Sequence, residues 1–320
     1  MMIASGAGYG DFSQPFCDRE LNMHVLITGG TGLIGSALCR KLLSDGHEVS
    51  VWSRRPETVA TRCGPGVKAV GELSQLSGKP VQAVVNLAGE PIADKPWTSK
   101  RKAALWASRV TLTEHLVEWL GRQPVKPEVL ISGSAVGWYG DAGAAVVTEA
   151  TPAKPEYTHT LCDAWESAAK RAAAHGIRVC QLRTGLVVAP KGGFLQRLLP
   201  LFKLGLGGPI GSGQQYMPWV HLEDMVGIIV FLLNNSQCKG PFNATAPHPV
   251  TNREFAKTLG RVLKRPAIMP VPAFVLKAAL GEMSRLLLTG QRALPEKLRE
   301  AGYVFRFEYL ETALADVVKT

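Results

Sequence analysis

The stretch HVLIT-GGTGLIG-SALCRKLLSDG, residues 24–46, limits the possible folds more than any other part of the chain. A short β-rich run leads directly into glycines at 29, 32 and 35. A segment with helical apolar spacing at Leu38, Leu42 and Leu43 follows. A glycine pattern of this kind is weak evidence alone, but between a strand and a helix it acquires a mechanism. The glycines permit a tight turn, a close backbone approach to a pyrophosphate, and close helix–strand packing. Amide groups at the helix start then face the negative charge. Gly29, Thr31, Gly32, Leu33, Ile34 and Gly35 are therefore expected to bind a dinucleotide.

Gly46 is placed to end that helix, and HEVSVWS (47–53) alternates like a second strand. VQAVVNLAG (81–89), EVLISGSA (128–135) and IRVCQLRTG (177–185) read as further strands. Helical patterns separate them, from about Thr98 to Leu120 and around Trp165 to His175. Such alternation implies βαβ units, hence an α/β fold with a Rossmann-type doubly wound parallel sheet. After Pro190 the chain becomes richer in glycine and proline, and TNRE (251–254) forms a capping box. The expected division is a cofactor-binding domain over 23–190 and a smaller C-terminal substrate lobe over 191–320, with part of 191–250 returning to the core. Residues 1–22 read as a flexible extension or an unused upstream start.

Composition removes several alternatives. No apolar run reaches the roughly 18–20 residues of a membrane helix, and MVGIIVFLL (225–233) reads as a buried helix. The first 22 residues lack the basic start and apolar centre of a secretory signal. The six cysteines show no metal-binding spacing, which points to a reducing, cytoplasmic setting. Net charge is +10, but the bases are scattered and do not alternate with aromatics as in a nucleic-acid groove. An anionic small ligand is the simpler expectation, with neither nucleic acid nor membrane as partner. The oligomeric state stays open.

The end of the second strand bears on the choice of cofactor. An acid there would accept from a ribose 2′-hydroxyl and favour NAD. This chain has Ser53, Arg54 and Arg55, with the next acid at Glu57. A guanidinium suits a 2′-phosphate, so NADP(H) is expected, against the plainer reading of a solvated basic loop.

These segments, with ISGSAVGWYGD (131–141), TEATPAKPEY (148–157) and WVHLEDM (219–225), resemble the extended short-chain dehydrogenase/reductases. WTSKRKAALWASRVTLTEHL, LGLGGPIGSGQQYMPWVHLED and FNATAPHPVTNREFA resemble its atypical branch, the epimerase family proteins. That branch ends in a domain of unknown function, which about 267–315 resembles. The resemblance implies NADP(H) binding, with Leu87, Ala88 and Gly89 beside the adenosine ribose. It places Arg109 near the nicotinamide, where most members carry asparagine, and passes Arg183 to Leu186 by the nicotinamide end. Gln214, Gln215, Trp219 and His221 would lie near the cleft mouth, although His221 and Asp224 also suit a role in fixing the loop to the next helix.

The family mechanism uses a tyrosine with a lysine four residues on, one helical turn away, which lowers the tyrosine's pKa. Here Tyr157 is followed by Leu161. Counting back from Glu166 instead puts Cys162 in the lysine slot and Thr158 in the tyrosine slot. Neither count restores the pair, and a tyrosine near pKa 10 is a poor base at neutral pH. Ser134, or Ser132, can hold a substrate oxygen. Tyr139, Tyr157, His159, Cys162 and Asp163 are the candidate substitutes for proton transfer. The alternatives are an NADPH-binding regulator or scaffold without turnover, linked through the family's chloroplast members to organelle division, and lastly a sugar-nucleotide epimerase.

Overall fold

The computed structural model describes residues 22–319. The proposed N-terminal extension, apart from Asn22, lies outside the described residues, as does Cys17. Seven strands form one sheet: β1 His24–Thr28, β2 Glu48–Trp52, β3 Lys68–Val70, β4 Ala83–Asn86, β5 Val129–Ala135, β6 Arg178–Thr184 and β7 Gly240–Ala244. Their order is β3-β2-β1-β4-β5-β6-β7, and every pairing is parallel. The order reverses at β1, so a crevice opens above its carboxyl end between β2 and β4.

Side-chain alternation along each strand supplies two buried faces. Val25 and Ile27 of β1 pack on one side with Leu38 and Leu42 of α1 (Leu33–Ser44). Leu26 packs on the other with Leu116 and Leu120. Each such leucine contributes about 1.5–3 kcal/mol by leaving water. The Thr98–Leu120 helix appears as α2 (Ser99–Trp106), a π turn at Ala107–Thr111, and α3 (Leu112–Arg122). The helix expected around Trp165 begins earlier, as α4 (Tyr157–Lys170), and tightens to a 3-10 turn over Arg171–His175. MVGIIVFLL lies within α5 (Leu222–Asn234), which covers the α1 side.

The lobe has its own core around Trp219, Phe255, Leu259 and Leu314. The capping box opens α6 (Asn252–Leu263), with Thr251 accepting from the Glu254 amide. Trp219 and His221 are 0% and 1% exposed, which removes them from any cleft mouth. His221 instead caps α5 by accepting from the Glu223 amide at 3.2 Å. Asp224 receives the Arg306 and Phe307 amides at 2.8 and 2.9 Å, tying the C-terminal segment to α5. Among the described residues, no helix is long and apolar enough to cross a membrane, and the five cysteines are free and buried.

Candidate functional site

The loop after β1 has no room for a side chain at Gly29, Gly30 or Gly35. A Cβ on Gly29, where φ is +68°, would stand 2.6 Å from the Leu87 carbonyl carbon. One on Gly35 would stand 2.3 Å from the Gly29 oxygen. Gly30, which the spacing pattern skips, is equally constrained, because its Cβ would meet Val51 at 2.6 Å. The Cys63 thiol donates to the Gly30 carbonyl at 3.2 Å and fixes the loop from below. Gly32 is exposed at the start of α1, and no side chain caps that helix. Its first amides are thus available to an anion. The Thr31 carbonyl is held by Arg62 at 3.3 Å, Leu33 packs toward Gly192 and Gly193, and Ile34 joins the core.

A cluster of arginines flanks this loop. Arg54, exposed beyond β2, donates to Glu90 Oε1 at 3.1 Å. Ser53 accepts from the Arg55 amide at 3.1 Å and shapes that turn. Arg101 reaches Glu90 Oε2 at 3.4 Å, and Arg109 donates to the Glu90 carbonyl at 2.9 Å. The Arg54 hydrogen bond holds the Glu90 carboxyl below its ordinary range. The π turn carries Arg109 inward, against Gly89, where a Cβ would stand 3.0 Å from the guanidinium carbon. A buried polar chain supports this arrangement: Thr28 donates to Asn86, Asn86 to Thr113, and Thr113 to the Arg109 carbonyl. Glu90, Arg101 and Gly30 were missed from sequence; Glu90 directly follows NLAG, and that adjacency was the available signal.

The two counts for the lysine slot correspond to two faces of α4. Tyr157, Leu161, Trp165 and Ala168 share an apolar cluster with Leu105 and Val110. Thr158, Cys162 and Glu166 fall at four-residue spacing on the next face. There Thr158 lies against Gly137, where a Cβ would be 3.0 Å away, and Glu166 accepts from Ser134 at 2.8 Å. Tyr157 therefore stands beside the Ser134 face and not on it. Its ring meets Trp97 edge-on at 4.9 Å, under the Lys102 ammonium at 4.4 Å. Its hydroxyl is buried without a hydrogen-bond partner among the described residues. Burial raises its pKa, and the nearby Arg109 charge opposes that rise. Cys162 is pushed up to about 12 by burial and by Glu166, so it cannot replace a lysine cation or serve as a base near neutrality. His159 is tied to the Trp138 carbonyl at 2.7 Å, Asp163 is exposed, and burial raises Tyr139 to about 12.

The Ser134 side of the site is closed on itself. Glu166, 0% exposed, takes a two-pronged ion pair from Arg183 at 2.8 and 3.1 Å. Arg183 also donates to the Tyr139 hydroxyl at 3.1 Å and stacks on Trp138 at 3.5 Å. At 2% exposure Arg183 supports the site from beneath, which corrects its expected place beside the nicotinamide. Ser134 donates its hydroxyl to Glu166 and keeps only acceptor capacity for a further partner. Ser132 is fully buried, and its hydroxyl accepts from Asn86 at 3.3 Å. Leu186 is half-buried at the start of a short strand pair with Trp219. Next to Tyr157, a cavity of about 330 Å³ is lined by Trp97, Glu156, Thr158, Glu282 and Arg285, so the C-terminal segment contributes to its wall. The Lys102–Glu282 ion pair, at 2.6 Å, spans the same junction.

Residues 25–244 match the NAD dependent epimerase/dehydratase family, and residues 271–317 match a domain of unknown function, DUF1731. The chloroplastic epimerase family protein SDR39U1 homolog of Arabidopsis thaliana is 37% identical, over 94% of this chain and 88% of its own length. Epimerase family protein Mb2239 of Mycobacterium bovis is 40% identical, over 92% of this chain and 97% of its own. The crystal structure of human epimerase family protein SDR39U1 with NADPH superposes with a TM-score of 0.84 at 34% identity, covering 93% of this chain and 99% of that one. A UDP-galactose 4-epimerase, 20% identical with a TM-score of 0.72, shares the fold.

Proposed function

The chain belongs to the NAD dependent epimerase/dehydratase family, and from that premise we propose that it is an NADP(H)-dependent oxidoreductase of the atypical extended short-chain type, reducing a small carbonyl compound. The observation that carries the cofactor reading is Arg54 at the end of β2, with no carboxylate on that turn before the exposed Glu57. A human relative of 34% identity was crystallised with NADPH, which supports the same reading. Gly29, Gly32 and Gly35 would admit the pyrophosphate, Leu87 to Gly89 would border the ribose, and Arg54 would take the 2′-phosphate. When bound, the nicotinamide supplies a hydride.

The protein's own contribution is a proton donor. Burial keeps the Tyr157 hydroxyl protonated at neutral pH, so it suits donation to a developing alkoxide and not abstraction of a proton. Arg109 beside it is the cation nearest in role to the missing lysine. That asymmetry favours reduction over epimerisation, which begins with a tyrosinate base. The adjoining open pocket, about 330 Å³ and lined by Glu156, Glu282 and Arg285, would admit a small polar substrate. The free, buried thiols support a reducing, cytoplasmic setting.

The closed Ser134–Glu166–Arg183 network favours a second reading, an NADPH-binding regulator or scaffold without turnover. Fluorescence titration with NADPH and NADH, followed by NADPH oxidation over a carbonyl panel, separates the two. The reductase reading expects tight NADPH, weak NADH, and turnover that Tyr157→Phe lowers by about 10²–10⁴. Tight NADPH binding with no carbonyl-dependent oxidation would establish the regulator in its place.

A further inference from the structure

Arg54 and Glu90 lie 36 residues apart in the chain, yet their side chains meet at 3.1 Å. Arg54 follows β2, Glu90 follows β4, and β1 lies between those strands in the sheet. The contact therefore spans the carboxyl end of β1, above the glycine loop, where the adenosine half of a dinucleotide lies on such a sheet. The Glu90 backbone is fixed on its far side: Arg109 donates to its carbonyl at 2.9 Å, and its amide donates to Ser108 at 3.1 Å. The carboxylate is held by arginine side chains alone, and Arg101 at 3.4 Å can retain it when Arg54 departs.

Resting on the NADP(H) reading, we infer that Glu90 is a strap across the cofactor groove whose carboxylate holds Arg54 in the free protein and yields it to a 2′-phosphate. The phosphate presents two negative charges where the carboxylate presents one, and Arg54 is 85% exposed and free to re-aim. An exposed ion pair of this kind contributes little by itself, so the exchange meets a low barrier. NADH brings a neutral hydroxyl to the same place. It must open the strap and leaves Arg54 without an anion. Both cofactors thus meet the same opening cost, which caps their affinity, and only NADP(H) recovers it through the contact that Arg54 makes with the phosphate.

The test is a double-mutant cycle read by nicotinamide fluorescence, with Glu90→Gln, Arg54→Ala and the pair, each checked by thermal melting. Glu90→Gln should tighten NADPH by about three- to tenfold, the span of one partly exposed charge contact. In the Arg54→Ala background the same change should have no effect. Weaker or unaltered NADPH binding in Glu90→Gln would overturn the strap, as would equal tightening with and without Arg54. If the native protein binds NADPH no better than NADH and Arg54→Ala alters neither, the cofactor reading itself fails, and the strap with it.

Discussion

Along the carboxyl edge of the sheet, the loops that follow β1 and β2 leave donors open, whereas the ends of β5 and β6 turn their polar groups on one another. On the first side the start of α1 has no side-chain cap, and Arg54 is held by one exposed contact. On the second, Ser134, Glu166, Arg183 and Tyr139 form a buried network, with Glu166 and Arg183 0% and 2% exposed. The contrast separates two kinds of requirement. An anion site needs donors with free capacity, while the position of a catalytic helix needs groups already satisfied. The same sheet meets both, and only the first side is arranged like a receptor.

The largest expected effect breaks the closed side. Glu166→Ala would leave the Arg183 guanidinium buried without its anion and the Ser134 hydroxyl without its acceptor. Removing one member of a buried pair costs about 3–5 kcal/mol. Urea unfolding should show that loss. A cost near that of an exposed pair, about 1 kcal/mol or less, would mean that water reaches the network and that the two sides differ less than their geometry implies.

Gly35→Ala tests the open side. Its new methyl group would stand 2.3 Å from the Gly29 oxygen and 2.7 Å from the Gly30 Cα, both backbone atoms that cannot rotate away. Overpacking of this kind costs about 1–3 kcal/mol. The expected signature is lost NADPH binding in a protein that still melts cooperatively. Retained affinity would show that the loop can shift without harm. Arg54→Ala should act more narrowly, weakening NADPH about tenfold, or about 1.4 kcal/mol, while NADH, no longer opposed by the strap, binds as well as before or slightly better. Equal loss for both cofactors would take the 2′-phosphate role from Arg54.

These two sides were also unequally legible in the sequence. Gly29, Gly32 and Gly35 could be placed because strand, turn and helix adjoin in the chain, so local geometry determines their contacts. The capping role of Thr251 and Glu254 was legible for the same reason. Glu90 was not, because its meeting with Arg54 depends on β2 and β4 flanking β1, a consequence of strand order that no short motif records. Arg183 was misplaced for a related cause. Strand position put it at the correct edge, but its direction follows from a carboxylate 17 residues earlier on a different element. The faces of α4 could be counted but not chosen between, since both counts give acceptable helices until Ser134 is seen against Glu166.

The smallest expected effect concerns Cys162, which fills the lysine slot on the face shared with Thr158 and Glu166. With its pKa near 12, only about one thiol in ten thousand is ionised at pH 8. At 5% exposure it also lacks a path to reagent. Iodoacetamide at pH 8 should therefore leave Cys162 unmodified in the native protein, as read by peptide mass spectrometry, and label it once the chain is unfolded. Bound NADPH should not alter this result, because the thiol lies behind Ser134 and not on the groove. Rapid native labelling would require a lowered pKa and an open path at that position. The face of α4 that carries Cys162 would then belong with the receptor side, and proton transfer would have to be sought at Cys162 before Tyr157.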